Sequence, residues 1–136
     1  MCHKQTMKNP INSTKNLGNA GELFVAQHLE NQGFTIRAQN YRKFFGEIDI
    51  IASKKNLYVF VEVKTRKSDA MAMGQLISPS KQQKIIKTAQ TFIAEQQLGG
   101  DNICRFDVAL LVKNDINFSM EYIENAFTKQ QDCYGY

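Results

Sequence analysis

The spacing of apolar positions predicts two helices and five strands. Apolar residues recur at helical spacing over 19–32, where Asn19 suits the N-cap and Gly33 suits the stop. A second helix is predicted from Ser78-Pro79 to about residue 98, because serine caps helices and proline favours their first position. Runs of apolar and β-branched residues predict strands at 34–40, 47–53, 57–65, 105–112 and 118–123.

The order of these elements predicts an α/β protein with a mixed β-sheet and helices packed on it. The short polar connection 54–56 predicts an antiparallel hairpin between the second and third strands. The chain of 136 residues has the size of one domain. We therefore expect a flexible basic N-terminal arm at 1–16, a folded domain at 17–126 and a C-terminal tail at 127–136.

Two of the predicted strands carry charges in otherwise apolar surroundings. Asp49 lies within the run 46–51, and Glu62 follows thirteen residues later within the run 57–64. Interior strands normally exclude such groups, and an unpaired buried ion costs on the order of several kcal/mol. A divalent metal ion is the natural compensating charge, so the sequence indicates a metal-dependent enzyme.

The strand geometry predicts how these groups would meet. Side chains alternate along a strand, so Glu62 and Lys64 point the same way, and the hairpin can bring Asp49 beside Glu62. Mg²⁺ binds oxygen ligands, usually one or two carboxylates with waters and phosphate. Asp49, Glu62 and the backbone carbonyl of Val63 would supply part of such a shell. Lys64 would orient or deprotonate a water, or stabilise charge on a phosphate.

Two helical residues are further candidates for this site. Glu22 shares the apolar stripe of its helix with Val25, Ala26 and Leu29, so it would face the sheet. It could instead favour a helix N-terminus through the helix dipole. Beside two other carboxylates, the ligand role is the stronger interpretation. Gln82 shares a face with the apolar residues of the second helix and would bind phosphate or water, or else remain an exposed first-turn residue.

Positive charge is concentrated around the acidic residues of these strands. Residues 37–87 contain eleven basic and four acidic residues, whereas the rest of the chain contains six basic and nine acidic residues. Such a surface attracts a polyanion, although solvated lysines would have the same composition. The candidates for contacts to a nucleic-acid backbone are Arg42, Lys43, Arg66, Lys67, Lys81, Gln82 and Lys84. Tyr41, Phe44 and Phe45 could stack on bases or simply pack in a turn.

Other classes of protein are disfavoured. The three cysteines are scattered and odd in number, which argues against disulfides or a cysteine zinc site and favours free thiols in a reducing cytoplasm. No apolar stretch approaches the roughly 18 residues of a membrane span, and residues 1–16 lack the apolar segment of a secretory signal. Asp107 is expected to pair with Arg105 or with the backbone in a structural role.

The motif Asp49 … Glu62-Val63-Lys64 resembles the PD-(D/E)xK nuclease signature. With Glu22, the set is similar to that of archaeal-type Holliday junction resolvases. The sequence around these residues resembles the YraN-like bacterial family more closely still. That resemblance covers about 17–125 and rests on residues 18–22, 46–51, 60–66, Lys81 with Lys84, and 105–108. It implies a restriction-endonuclease-like mixed central β-sheet flanked by α-helices, with a Mg²⁺ or Mn²⁺ site at Glu22, Asp49, Glu62 and Lys64.

Two functions follow as hypotheses. The first is a Mg²⁺- or Mn²⁺-dependent DNA endonuclease, with branched or recombination DNA as a candidate substrate. The second is a non-catalytic nucleic-acid-binding or scaffold protein that keeps the nuclease fold. By analogy with resolvases, which make two symmetric cuts, a homodimer is expected; no membrane association is expected.

Overall fold

The structure, a computed structural model, describes residues 14–66 and 77–128. The elements are α1 (Thr14–Asn31), β1 (Thr35–Lys43), β2 (Gly46–Lys54), β3 (Leu57–Arg66), α2 (Pro79–Glu95), β4 (Ile103–Lys113) and β5 (Phe118–Phe127). This is the predicted order of helix, three strands, helix and two strands. Neither helix is long and apolar enough to cross a membrane, within the part of the chain described.

The five strands form one mixed sheet in the order β1-β2-β3-β4-β5. All neighbours are antiparallel except β3 and β4, which run parallel. A parallel pair needs a long crossover, and α2 lies in that connection. The predicted mixed sheet and the predicted hairpin between β2 and β3 are both confirmed.

One helix packs against each face of the sheet. The cluster beneath α2 contains Ile85, Ile86, Ala89 and Phe92 with sheet residues such as Phe60. The cluster beneath α1 contains Val25, Ala26 and Leu29 with sheet residues that alternate with the first set, among them Val59, Val61, Ala109 and Leu111. Burial of these two apolar surfaces is the main force that holds the layers together.

Several element boundaries differ from the predicted ones. α1 begins at Thr14, so Asn19 lies inside the helix and is not its N-cap. Gly33 does follow the helix, with φ of +98°, a conformation that glycine adopts without strain. β1 continues to Lys43 through residues predicted as a turn, because β2 supplies backbone partners as far as the pair Lys43 and Gly46.

The C-terminal half shows one confirmed boundary and one difference. Ser78 accepts a hydrogen bond from the Lys81 amide at 3.2 Å and Pro79 opens α2, as predicted. β5 runs on to Phe127, which is buried and stacks on Phe106 at 5.2 Å between ring centroids. The division into arm, domain and tail stays a prediction, because most of the arm and of the tail lies outside the described residues.

A buried carboxylate fixes β5 to β4. Asp107 is fully buried and accepts two hydrogen bonds from the Arg105 guanidinium, both 2.9 Å. It also accepts one from the Tyr122 hydroxyl and one from the Asn125 amide. Four donors satisfy a buried charge that would otherwise be destabilising. The predicted structural role of Asp107 fits this geometry.

Candidate functional site

The pairing of β2 with β3 ends where the charged residues of the motif begin. The ladder runs from the pair Lys54 and Leu57 to the pair Ile50 and Val61, one residue short of Asp49. Beyond it, Asp49 Oδ2 accepts a hydrogen bond from the backbone amide of Val63 at 2.8 Å. The carboxylate thus satisfies an amide that the neighbouring strand no longer reaches.

The alternation of β2 also breaks at Asp49. Ile48 and Ile51 both pack beneath α2, whereas Ile50 packs beneath α1. In a regular strand Ile48 would share the face of Ile50, because side chains alternate. The strand therefore changes face within three residues, and Asp49 lies at that irregularity, half-buried between the two helical layers.

Four carboxylates from three elements act on one another at this point. Burial and the negative charge of Glu62 raise the pKa of Asp49 to about 7, against the opposing effect of the Val63 amide. The charges of Glu22 and Glu47 also contribute to this rise. Burial also raises the pKa of Glu22; a hydrogen bond from Asn40 opposes this, and the charges of Glu47 and Glu62 add to it. Negative charge therefore accumulates here without full compensation.

Among the described residues, Glu62 pairs with one cation, Lys81 of α2. Its side chain is 7% exposed, and Lys81 Nζ lies 2.9 Å from its Oε2. Burial alone would lower the pKa of the Lys81 ammonium, but the hydrogen bond and charge of Glu62, together with the charges of Asp49 and Glu47, raise that pKa. Ser78 and Pro79 fix the first turn of α2 and so fix where Lys81 can reach.

A cavity of about 360 Å³ lies between these groups. Its lining combines carboxylates from the sheet with lysines and serines from the start of α2. The lining residues are Gly46, Glu47, Asp49, Glu62, Ser78, Ser80, Lys81 and Lys84. Glu47 had no predicted site role, although its position two residues before Asp49 was a usable signal.

The remaining predicted site residues have defined contacts. Glu22 Oε1 accepts a hydrogen bond from Asn40 Nδ2 at 3.1 Å. Because α1 begins two turns earlier, the helix-dipole interpretation of Glu22 loses its basis. Lys64 is half-buried at the end of β3 and forms no ion pair with any residue that the structure describes. Gln82 Nε2 donates to the Ile77 carbonyl at 3.0 Å, which leaves one amide hydrogen for another acceptor.

The basic residues predicted to contact a nucleic-acid backbone have different surroundings. Arg42 pairs with Glu47 at 3.0 Å and Lys43 pairs with Glu95 at 2.6 Å, so both charges are partly compensated. Lys84 lines the cavity. Arg66 ends β3 with a buried Nε that has no hydrogen-bond partner among the described residues. Lys67 lies outside the described residues.

The carboxylate oxygens at the cavity suit a hard divalent cation, although the residues that the structure describes form no preformed cage. Over 14–66 and 77–128, no three acidic, histidine or cysteine side chains converge closely enough to hold an ion. Each carboxylate instead has its own donor: the Val63 amide for Asp49, Lys81 for Glu62 and Asn40 for Glu22. Mg²⁺ needs only one or two carboxylates, because water and substrate complete its shell. Burial is the largest cause of the raised pKa of Asp49, and the charges of Glu62, Glu22 and Glu47 add to it. A cation would neutralise that negative charge.

Fold and site define an α/β domain in which carboxylates of the sheet face lysines of a helix across a cavity. The chain belongs to the uncharacterised protein family UPF0102, whose model matches residues 21–111. This confirms the resemblance to the YraN-like family. The matched segment contains Glu22, Asp49, Glu62, Lys64 and Lys81.

Relatives match along most of their length. A UPF0102 protein of Synechococcus sp. (strain JA-3-3Ab) is 38% identical over 122 residues, covering 85% of this chain and 93% of the relative. A UPF0102 protein of Clostridium botulinum (strain Loch Maree / Type A3) is 40% identical over 116 residues, covering 83% and 94%. Among solved structures, Archaeoglobus fulgidus Hjc, a Holliday junction resolvase, matches with a TM-score of 0.48 and 20% identity, covering 76% of this chain and 72% of that one.

Proposed function

We propose that this protein is a metal-dependent DNA endonuclease that hydrolyses phosphodiester bonds. The observation that carries the proposal is the cavity in which Asp49 and Glu62 face Lys81 and Lys84. Carboxylates that can hold a cation, opposed by ammonium groups that can hold a phosphate, are the parts that phosphoryl chemistry requires. The substrates proposed include branched or recombination DNA.

Each residue has a definite part in this proposal. Asp49, Glu62 and the backbone carbonyl of Val63 would hold Mg²⁺ or Mn²⁺, with Glu22 beside them. The bound ion would supply an activated water and would neutralise charge developing on the phosphate. Lys64, on the same strand as Glu62, would orient that water or stabilise the phosphate charge. The hydrogen bond from the Val63 amide holds Asp49 in place.

Cations around the cavity would position the DNA backbone. Lys84 lines the cavity, and Lys81 is held there by Glu62. Further contacts are proposed for Arg42, Lys43, Arg66, Lys67 and Gln82. Contacts to phosphate fix a substrate without reading its sequence, so we expect binding with little sequence preference.

Cleavage assays test this proposal directly. Linear duplex, single-stranded, flapped and four-way-junction DNA are incubated with the purified protein, with Mg²⁺, with Mn²⁺ and with a chelator. We expect cleavage only with metal, and at least a hundredfold loss in Asp49→Ala and Lys64→Ala. Glu30→Ala is the matched control, because Glu30 is an exposed carboxylate on α1. Failure to cut any substrate, or equal cleavage by Asp49→Ala, would overturn the proposal.

One observation favours the second candidate, a non-catalytic DNA-binding or scaffold protein. Lys81 already neutralises Glu62, so a protein without metal could keep this arrangement. Calorimetric titration with Mn²⁺ separates the two. A nuclease should bind the ion in a way that Asp49→Asn abolishes, and Lys81→Met should bind it more tightly because a competing charge is gone. No binding in the wild-type protein would favour the scaffold.

A further inference from the structure

The turn between β1 and β2 carries an aromatic residue that the fold does not use. Lys43 pairs with Gly46, so the turn consists of Phe44 and Phe45 alone. Two-residue turns favour asparagine, aspartate and glycine, so two phenylalanines are unusual there. Phe44 is 99% exposed, the most exposed large apolar side chain among the described residues. Packing within the fold therefore does not explain why a phenylalanine stands at position 44.

The turn is nevertheless held at a fixed place. Phe45 lies edge-on to Phe44, with 5.0 Å between ring centroids, and Lys87 Nζ lies 4.8 Å from the centroid of Phe45. Gly46 approaches α2 so closely that a β-carbon there would lie 2.4 Å from Thr88 Oγ1. The hairpin is thus docked on α2, and Phe44 projects from a supported base rather than from a loose loop.

A row of lysines connects this tip with the cavity. Lys81 contacts Glu62, Lys84 lines the cavity and Lys87 covers Phe45. The residues are three apart on α2, so the row extends about 9 Å along the helix axis. That length corresponds to roughly two to three stacked nucleotides of one strand. A backbone following the row from the cavity would deliver a base to Phe44.

We propose that Phe44 stacks on an unpaired base of the DNA whose phosphate lies in the cavity. Within a duplex both faces of a base are covered by its neighbours, so a projecting ring can stack only on a base that is free. The ligand is therefore DNA with an unpaired or extruded nucleotide, such as a single strand, a flap or a junction. This inference rests on the proposed function and narrows its substrate class.

The test measures binding in EDTA, so that cleavage does not enter. Oligonucleotides carry 2-aminopurine at successive positions of a single strand, of a flap and of a duplex, and both affinity and fluorescence change are recorded. We expect Phe44→Ala to lose the fluorescence change at one position and about tenfold in affinity for single strands and flaps. Its affinity for duplex should change by less than about twofold. Phe44→Tyr should retain both, because a tyrosine ring also stacks.

Ile116→Ala is the matched control, because Ile116 is an apolar side chain that is 83% exposed in the connection between β4 and β5. This variant should leave the affinity for each DNA and the fluorescence change as they are in the wild-type protein. Equal effects of Phe44→Ala on duplex and single strand, or no effect on either, would overturn the inference and leave the nuclease proposal intact. Phe44-dependent stacking without any cleavage would uphold the inference and count against the nuclease. A wild-type protein that binds no DNA in EDTA would overturn the inference alone, since the nuclease proposal is tested with metal present. A Phe44-dependent self-association would assign the ring to a protein contact instead.

Discussion

Asp49 is a carboxylate that the fold keeps at the expense of stability. Its pKa rises from 3.8 to about 7 on folding, so the folded protein holds a proton there that the unfolded chain has already released. The stability that this proton contributes to the folded state is fully present below about pH 4. It is lost as the pH rises through 7. A residue retained at such a cost has a role other than packing.

Asp49→Asn should therefore become increasingly stabilising as the pH rises. Asparagine cannot ionise, yet its carbonyl oxygen can still accept from the Val63 amide. In EDTA, we expect the difference in unfolding free energy between variant and wild type to grow by on the order of 3 kcal/mol between pH 4.5 and 8. Urea denaturation at the two pH values measures it, with Asp101→Asn as the exposed control. A pH-independent difference would contradict the assignment.

Some of the site could be predicted from single residues, and some could not. Asp49 and Glu62, which line the cavity, were predictable because charge within apolar strands is costly, which makes each one visible in the sequence. The pairing of Lys81 with Glu62 was not predictable, because it depends on where α2 docks. The metal-binding role of the carboxylates, the carbonyl of Val63 and the water-orienting role of Lys64 remain predictions.

At the scale of elements, the close approach of the β1–β2 hairpin to α2 shapes the cavity. Gly46→Ala would place a β-carbon 2.4 Å from Thr88 Oγ1 and 3.0 Å from the Lys84 carbonyl. The hairpin and helix must then separate, at a cost of about 1–3 kcal/mol. Thermal and urea unfolding measure the loss. Gly99→Ala is the control, because nothing lies within 4 Å of its added carbon. Equal stability of the two variants would show that the hairpin can move away from α2 at no cost in stability.

The elements themselves were predictable to different degrees, for physical reasons. The start of α2 was read correctly because Ser78 and Pro79 act locally on the first turn. The start of α1 was not, because Asn19 is also compatible with a helix interior when the chain before it is helical. The end of β1 was not either, because basic and aromatic residues resemble a turn until β2 supplies their backbone partners.

At the scale of the whole molecule, the sheet order separates charge. β1, β2 and β3 with α2 contain most of the basic residues, whereas residues 103–127 contain two basic and four acidic residues. Because β4 and β5 lie at one side of the sheet, the electrostatic potential becomes more positive from β5 towards β1. A polyanion would approach from the β1 side, next to the cavity.

The salt dependence of DNA binding should report this polarity. Replacing Lys84 and Lys87 together by glutamine should reduce the slope of log affinity against log salt by nearly 2 on duplex DNA, about 0.9 per lost phosphate contact. Replacing Lys54 and Lys55, which lie at the β2–β3 turn at the opposite end of the hairpin from Asp49 and Glu62, should leave the slope unchanged. Titrations at four or more salt concentrations measure it. Equal slopes for the two double variants would mean that DNA binds elsewhere.

The pairing of Lys81 with Glu62 also bears on the order in which the molecule assembles. Burial of Glu62 alone would oppose docking of α2, but the helix brings a counter-ion in its own first turn. Docking of α2 therefore does not need a metal ion to compensate Glu62. If the protein binds a divalent ion as proposed, the ribosome can release a chain that folds first and takes up the ion afterwards.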